Sequence, residues 1–346
     1  MPLSQLTIVT GGAGFIGSHL VERLARSGQT VRVIERPGTD VDHLPAEVEV
    51  VFADIRDRSA LATALKGGRW IYHLAANPNL WARDRNEFQA INHIGTVNVL
   101  EAAIKAGAER ILHTSTESIL TKEGATELIN EDIEIAESDT IGAYCLSKLR
   151  AENAAMARAR AGHPILIANP TLPIGAGDRR LSPPTRLIRD FCQGRLPAVM
   201  DCTLNVIDVR DVAEGLFRVL ERGQPGRRYF LGDQNLTLAG FLEMLSELTG
   251  IPVPRRKVPY HVGLAIAYLN EFWSDHVTGR PPTATVAGVR LVKRLMHFDS
   301  SRSLSELGLT PRPIRESMAA AVTWLHQIGQ LPGASLLDSP RDVVRE

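Results

Sequence analysis

The sequence predicts an α/β fold: a doubly wound parallel sheet carrying a smaller, mainly helical C-terminal lobe. Three observations predict it. Through the first half, short apolar runs alternate with segments of helical periodicity, the pattern of strands joined by crossover helices. Four glycines fall between the first apolar run and the first helical segment. Beyond Pro170 the alternation loosens, prolines become frequent and helix-period segments dominate.

Leu6–Thr10 reads as the first strand, and Phe15, Ile16, Leu20, Val21 and Leu24 share one face of the helix that follows. Between them lie Gly11, Gly12, Gly14 and Gly17. The early glycines permit a tight turn and close approach of a pyrophosphate to the backbone. Gly17 lets the helix pack on the strand, and the helix N-terminus offers free N–H groups and a partial positive charge. Any strand-to-helix turn uses glycine, but four in seven residues in this context predict a dinucleotide-binding, Rossmann-type unit.

Further strands are expected at Thr30–Ile34, ending at Glu35-Arg36; Glu47–Phe52, running into Ala53-Asp54; Trp70–Leu74, closed by Ala75-Ala76; Arg110–Thr114; and Ile165–Ala168. Helices are expected around Phe88–Ala106, where Ile91, Ile94, Val97, Leu100 and Ile104 keep helical spacing, and at Gly142–Ala161. A helix near Pro184–Gln193 then precedes Thr203–Asp208, read as a strand returning to the sheet. Val209–Glu221 is helical and Arg228–Leu231 a short strand. The remaining helices are Leu238–Thr249, Tyr260–Trp273, Thr285–Lys293 and Ile314–Ile328. The expected division is a nucleotide-binding domain of residues 1–170 plus about 203–232 and a substrate lobe of 171–202 plus 233–330. That lobe would close over the carboxyl edge of the sheet, where such folds bind ligands. Residues 331–346 read as a frayed tail.

Composition excludes several classes of function. Lys+Arg and Asp+Glu both number 39, so no global field draws nucleic acid or an anionic surface. Three cysteines, none in C-x-x-C spacing, indicate neither a disulfide framework nor a metal site. No signal peptide and no apolar run long enough to span a bilayer is present, so a cytoplasmic location is expected.

Tyr144 and Lys148 stand four apart on a helix, so phenol and ammonium share one face. A free tyrosine ionises near pH ~10 and is a poor base. A neighbouring Lys148 and a nicotinamide cation would favour its phenolate, making Tyr144 a general acid/base. An isolated Y-x-x-x-K is usually a surface pair; downstream of a glycine-rich turn it reads as chemistry. His113-Thr-Ser-Thr-Glu-Ser118, at a strand's carboxyl end, supplies hydroxyls to bond a substrate carbonyl or alcohol, although such turns also bond their own backbone.

Together, Thr10–Gly17, Asp54, His73–Ala76, Asn92, Thr114–Thr116, Tyr144-x-x-x-Lys148, Asn169-Pro170 and Asn205–Asp211 make the chain resemble an extended short-chain dehydrogenase/reductase over roughly residues 5–328. Asn77–Asp84, Asn169–Gly175 and Gly232–Thr237 bring it nearest to the dihydroflavonol-4-reductase-like proteins and the hopanoid-associated sugar epimerase group. The resemblance implies Tyr144 as acid/base, Lys148 lowering its pKa and holding the nicotinamide ribose, and Thr116 as the catalytic hydroxyl, with Ser115 as the residue next in register. It implies cofactor contacts at Gly11, Gly14, Phe15, Ile16, Gly17, Asp54, Ile55, Ala75, Ala76, Asn169 and Pro170, with Asn92 positioning the active-site helix or a water. Glu35 stands where an acid accepts the ribose hydroxyls and repels a 2′-phosphate, whereas Arg36 stands where flavonol-type reductases place a phosphate-binding arginine. The cost of an unpaired carboxylate against phosphate favours NAD over NADP.

Hydride transfer to or from a carbinol carbon is common to three outcomes: a reductase, an epimerase that returns hydride to the other face of a keto intermediate, and a dehydratase. Leu166-Ile-Ala168 and Leu204-Asn205 lack the arginines that grip a nucleotide-sugar diphosphate, although Arg179, Arg180 and Arg186 lie nearby. Glu117 follows Thr116 as an acid does in sugar-nucleotide dehydratases, but Ser118 stands where their second acid would be. Asn77, Ser115, Glu117, Trp81 and Arg179 are the candidate substrate contacts, and Trp81, His261, Tyr268, Phe272 and Trp273 candidate apolar walls, although Tyr268 and Phe272 at spacing four also suit a core. Val262–Trp273 reads as a packed helix or, alternatively, one touching a membrane. A non-catalytic redox sensor is disfavoured because a sensor needs no proton-transfer set. The expected partners are a small-molecule substrate and a second copy in a homodimer, with no nucleic acid.

Overall fold

The computed structural model describes residues 6–331; residues 332–346, the body of the expected tail, lie outside the described residues. Strands β1 (Leu6–Thr10), β2 (Thr30–Glu35), β3 (Glu49–Phe52), β4 (Trp70–His73), β5 (Arg110–Thr114), β6 (Ile165–Pro170) and β9 (Arg228–Leu231) form one sheet in the order β3-β2-β1-β4-β5-β6-β9. Every pairing in it is parallel. The runs lack polar alternation because both faces of a parallel sheet are covered. In register, Ile8, Ile71, Ile111 and Ile165 line up across four strands and point to one face. There they meet Leu61 of α2 (Arg58–Ala64), Val99 and Leu100 of α4 (Thr96–Lys105) and Ala155 of α5 (Gly142–Arg160). Their chain neighbours Val9, Tyr72, Leu112 and Leu166 point the other way, against Leu20 and Leu24 of α1 (Phe15–Arg26) and Leu216 and Leu220 of α7 (Val209–Arg222). The chain winds outward from β1 to β3 and returns to β4, so a crevice opens at the carboxyl ends of β1 and β4, where ligands bind in such sheets.

Thr203–Asp208 does form a strand, β8, but it does not rejoin the main sheet. It pairs in parallel with β7 (Leu172–Ile174) and antiparallel with β10 (Gln234–Thr237) in a separate three-stranded sheet. An apolar run signals a strand and not its partner. β7 is three residues with a central proline and β10 is the polar Gln-Asn-Leu-Thr, so neither carries a strand pattern. The small sheet packs with α6 (Pro183–Cys192), α8 (Leu238–Thr249) and α12 (Ile314–Gln327) around Phe191, Phe241, Met318 and Leu325. Three further helices, α9 (Tyr260–Trp273), α10 (Val286–Leu291) and α11 (Ser301–Leu307), complete this part of the chain.

The helix expected at Phe88–Ala106 is not uniform. A turn of α-helix, α3 (Asn86–Phe88), leads into a π-helical stretch, Gln89–Gly95, before α4 begins. One extra residue per turn displaces side chains from the regular stripe, and such stretches concentrate at functional sites. Asn92 lies buried within this stretch.

Candidate active site

β1 ends in the glycine turn. Gly11 sits at φ +76°, and a Cβ there would lie 2.7 Å from the Ala75 backbone nitrogen. A Cβ on Gly17 would collide with the Gly11 carbonyl oxygen, so the start of α1 rests directly on the turn. Gly14 precedes α1 with no side-chain cap, leaving the helix's first N–H groups for an anion. Phe15 packs edge-on against His19, and Ile16 leans on the sheet face shared with α1. Glu35 is buried, and its carboxylate accepts the Ala13 N–H at 2.7 Å. Arg36 is exposed and forms no ion pair among the described residues. Asp54 is held by the Arg56 guanidinium and backbone N–H, which lower its pKa. Ile55 is buried beneath Gly95. Ala75 and Ala76 line the strand end half-buried, with the Ala75 N–H donating to Thr10 Oγ1 at 3.3 Å.

Tyr144 and Lys148 occupy the first two turns of α5. The Tyr144 ring meets Phe88 edge-on with centroids 6.3 Å apart, and the hydroxyls of Thr116 and Ser118 lie at the phenol, each favouring its ionisation. Burial nevertheless pushes the phenol above its ordinary pKa, with Cys145 and Glu117 adding to the rise. Lys148 is buried and donates from Nζ to the Thr114 carbonyl at 2.8 Å. Burial lowers its pKa to about 8, with the Glu152 carboxylate opposing. The rise at Tyr144 is set first by burial, with Lys148 engaged at the Thr114 carbonyl. The ammonium is turned onto a β5 carbonyl while the phenol is desolvated beside an acid.

Thr116 Oγ1 donates to Glu117 Oε2 at 2.8 Å and lies 3.1 Å from Ser118 Oγ. Burial raises Glu117 to about 7, against the Thr116 hydroxyl and the backbone N–H groups of Glu117 and Ser118. Asn92 is fully buried, accepts the Asn77 N–H at 2.7 Å and donates to Ser147 Oγ at 3.1 Å. It thereby fastens the segment after β4 to the helix bearing Tyr144. Asn169 donates to Glu152 at 2.7 Å, and Glu152 in turn pairs with Arg228 at 2.6 Å. Pro170 ends β6 in register with Leu231.

Four buried polar groups at the carboxyl edge of β5 and β6 have no partner among the described residues: Thr114 Oγ1, Ser115 Oγ, Asn169 Oδ1 and the His113 ring nitrogens. Buried polar atoms are nearly always satisfied, so a cluster of orphans marks a place for a polar ligand. Together with the uncapped α1 N-terminus and the glycine cradle, they fit a nicotinamide dinucleotide laid across the crevice. His113 stacks on His73 at 5.6 Å, and burial holds both rings neutral, His73 near pKa 3. His73 is itself satisfied by Thr10 and Thr96.

Two candidate substrate contacts bond within the protein. The Asn77 side chain closes a turn onto Asn79. Trp81 is buried, its indole N–H bound to Asp275 at 2.9 Å, so it fastens the β4–α3 segment to the turn after α9 instead of presenting a free wall. Arg179 is exposed, and its charge falls on His43, whose surroundings include Ala13 and Glu35, so it belongs to the glycine-turn side. Tyr268, Phe272 and Trp273 are exposed on α9. Ser118 belongs to the hydroxyl-rich strand end singled out in the sequence, whereas Ser147 and Glu152 were not singled out and carried no signal there.

The pattern of the NAD dependent epimerase/dehydratase family matches residues 7–232. A Synechocystis sp. protein bearing a dihydroflavonol 4-reductase name is 36% identical over 94% of this chain and 96% of its own. Sterol demethylase protein B of Methylococcus capsulatus is 32% identical over 94% and 99%. The crystal structure of gox2253 superposes with a TM-score of 0.84 at 34% identity, covering 95% of this chain and all (100%) of that one. MoeE5, solved with UDP-glucuronic acid and NAD, gives 0.73 at 25% identity over 94% and 100%.

Proposed function

The chain belongs to the NAD dependent epimerase/dehydratase family, within the extended short-chain dehydrogenases/reductases, and on that premise we propose that it interconverts a secondary alcohol and a ketone with Tyr144 as general acid/base. The observation that carries the reading is the meeting of Tyr144, Thr116 and Ser118 hydroxyls beside the orphaned Thr114, Ser115 and Asn169 groups. These residues would hold a nicotinamide dinucleotide, whose chemistry would be to supply or accept the hydride at the carbinol carbon. In the reducing direction Thr116 and Tyr144 bond the carbonyl oxygen, and the neutral phenol, kept protonated by burial, delivers the proton. Lys148, now on the Thr114 carbonyl, would hold the ribose hydroxyls. Asn92 holds α5 in register through Ser147. Glu35, buried against the turn, favours NAD, since a 2′-phosphate would face its carboxylate. Residues 1–170 with the later sheet strand would form the dinucleotide half and the remainder the substrate half, with β8 placed in the latter.

For substrate class we infer an apolar, ring-bearing ketone or alcohol. The dihydroflavonol and sterol names of the relatives support it. So does the absence of cations in Leu166-Ile-Ala168 and Leu204-Asn205. The test is a ketone panel with NADH against UDP-sugars. Stoichiometric NADH oxidation by ring ketones, cut about 10²–10⁴-fold in Tyr144→Phe with NADH affinity kept, is the expected result. UDP-sugar turnover without net NADH consumption would replace it with an epimerase. One observation favours a second reading, oxidation followed by elimination of water: the Glu117 carboxyl, neutral up to about pH 7, adjoins Thr116. An unsaturated product dependent on Glu117 would select it.

A further inference from the structure

Helix α9 is built inside out. Its inward side is small, with Gly263 and Ala267 buried and a Cβ on Gly263 only 2.9 Å from Met200 Sδ. Its outward side is large and apolar. Leu269 is 70% exposed, Phe272 60% and Trp273 58%, with Val262, Ile266 and Tyr268 beside them. At about 100° per residue these side chains cover an arc of roughly 160° with no Lys, Arg, Asp or Glu on it. Ordinary surface helices put polar residues there, and an exposed apolar patch of this size marks an interaction surface.

The charge around it is one-sided, although the whole chain is neutral. Residues 251–295 hold seven Lys and Arg against two acids, Glu271 and Asp275. Both acids turn inward: Glu271 accepts the Val286 N–H at 2.8 Å, and Asp275 accepts Trp81 at 2.9 Å and Arg85 at 3.1 Å. Arg294 is buried on the Asp139 carbonyl, whereas Lys293 and Arg290 border the apolar face. Lys293 Nζ lies 4.0 Å from the Tyr260 ring centroid, and Arg290 donates to the Tyr268 hydroxyl at 2.9 Å. Arg255, Arg256 and Arg280 are exposed without an ion pair among the described residues, while Lys257 pairs with Asp201.

We propose that this face docks on an anionic lipid bilayer, with Leu269, Phe272 and Trp273 entering the headgroup–acyl boundary and the rim cations meeting lipid phosphates. An aliphatic and aromatic face bordered by cations is the composition of a helix lying in a membrane interface. No helix among the described residues is long and apolar enough to cross a bilayer, so the attachment is peripheral. α9 is tied to the β4–α3 segment through Trp81, and Ala287 of the adjacent α10 abuts Gly142 at the start of the Tyr144 helix. Docking therefore sets the candidate site close to lipid, which suits a membrane-dissolved substrate without requiring one.

The test is flotation of the full chain with phosphatidylcholine vesicles, with and without phosphatidylglycerol. Wild type floats with the anionic vesicles, at least about tenfold more than with neutral ones, and high salt releases it. Leu269→Glu/Phe272→Glu and Arg255→Glu/Arg256→Glu stay at the bottom with unchanged melting curves, since all four side chains are exposed. Trp273 emission shifts to the blue on binding in wild type alone. The proposal falls if wild type fails to float or if the variants float as wild type does. It also falls if sizing shows a dimer that Leu269→Glu dissociates, which would assign the face to a second copy.

Discussion

The Thr116 hydroxyl donates to Glu117 across 2.8 Å while also facing the Tyr144 phenol, so a carboxyl and a phenol share one small hydroxyl. Burial raises this carboxyl from 4.5 to about 7. The folded state thus holds the Glu117 proton more tightly than the unfolded chain does. The penalty for ionising it is absent below pH 4.5, grows as pH rises, and is complete above about 7. Glu117→Gln should therefore stabilise the protein by about 1–2 kcal/mol at pH 8, discounted for partial exposure, and by nothing at pH ~4. Thermal melts across pH measure this. Because ionised Glu117 also raises the phenol pKa, the variant's alcohol-oxidation optimum should move down by up to about one pH unit.

Lys148 gives the opposite sign. Its ammonium, 10.5 in an unfolded chain and about 8 here, is bound less tightly in the fold. That burden is complete below pH 8 and lifts as pH rises towards 10.5. Lys148→Met should raise stability at pH 7 by about 1–2 kcal/mol, after allowing for the Thr114 carbonyl left unbonded, and the gain should vanish near pH ~10.5. NADH affinity should fall in the same variant. A lower melting temperature at pH 7 would mean that the Thr114 bond outweighs burial.

How far these residues were legible follows from where their partners lie. β1 and β6 were readable because their apolar runs need only their own residues, and Tyr144 and Lys148 because helical spacing fixes their shared face. What each faces was not. The turn of Lys148 onto Thr114 depends on β5, and the burial of Glu117 on how the strand end meets α5. Trp81 looked like a pocket wall because its partner, Asp275, lies 194 residues away. The π-helical stretch at Gln89–Gly95 kept an α-like apolar pattern, so only the structure reveals why Asn92 reaches both Asn77 and Ser147. β8 was seen as a strand, but the polar β10 beside it left no mark from which to place it.

Glu35 sets the cofactor expectation. Its carboxylate accepts the Ala13 N–H inside the glycine turn, while Arg36 lies free at the surface. Glu35→Ser should remove the repulsion against a 2′-phosphate and leave Arg36 to bind it. The KM ratio of NADPH to NADH should fall about 10–100-fold, and adding Arg36→Ala should restore most of it. Steady-state kinetics with both cofactors measure the ratio. A wild type that already prefers NADPH would reverse the reading of Glu35.

The glycine turn makes the sharpest contrast, because its glycines are needed for different reasons. A Cβ on Gly17 would collide with the Gly11 carbonyl and come within 2.9 Å of Gly12 Cα. Both obstacles are backbone, so α1 must move bodily off the strand. A Cβ on Gly14 meets only the Gly11 oxygen, at 3.2 Å, and Gly14 has a φ of −76° that any residue adopts. Gly17→Ala should cost several kcal/mol, on the order of an overpacked core, and lower the melting temperature accordingly. Gly14→Ala should cost far less, about 1 kcal/mol, because the Gly11 carbonyl oxygen alone has to give, by a fraction of an ångström. It should still weaken NADH binding at least about tenfold, because a pyrophosphate approaching the uncapped helix end would meet that methyl instead of bare backbone. Calorimetric melts paired with NADH titration separate the two effects, and equal loss of stability in both variants would mean that the turn serves the fold alone.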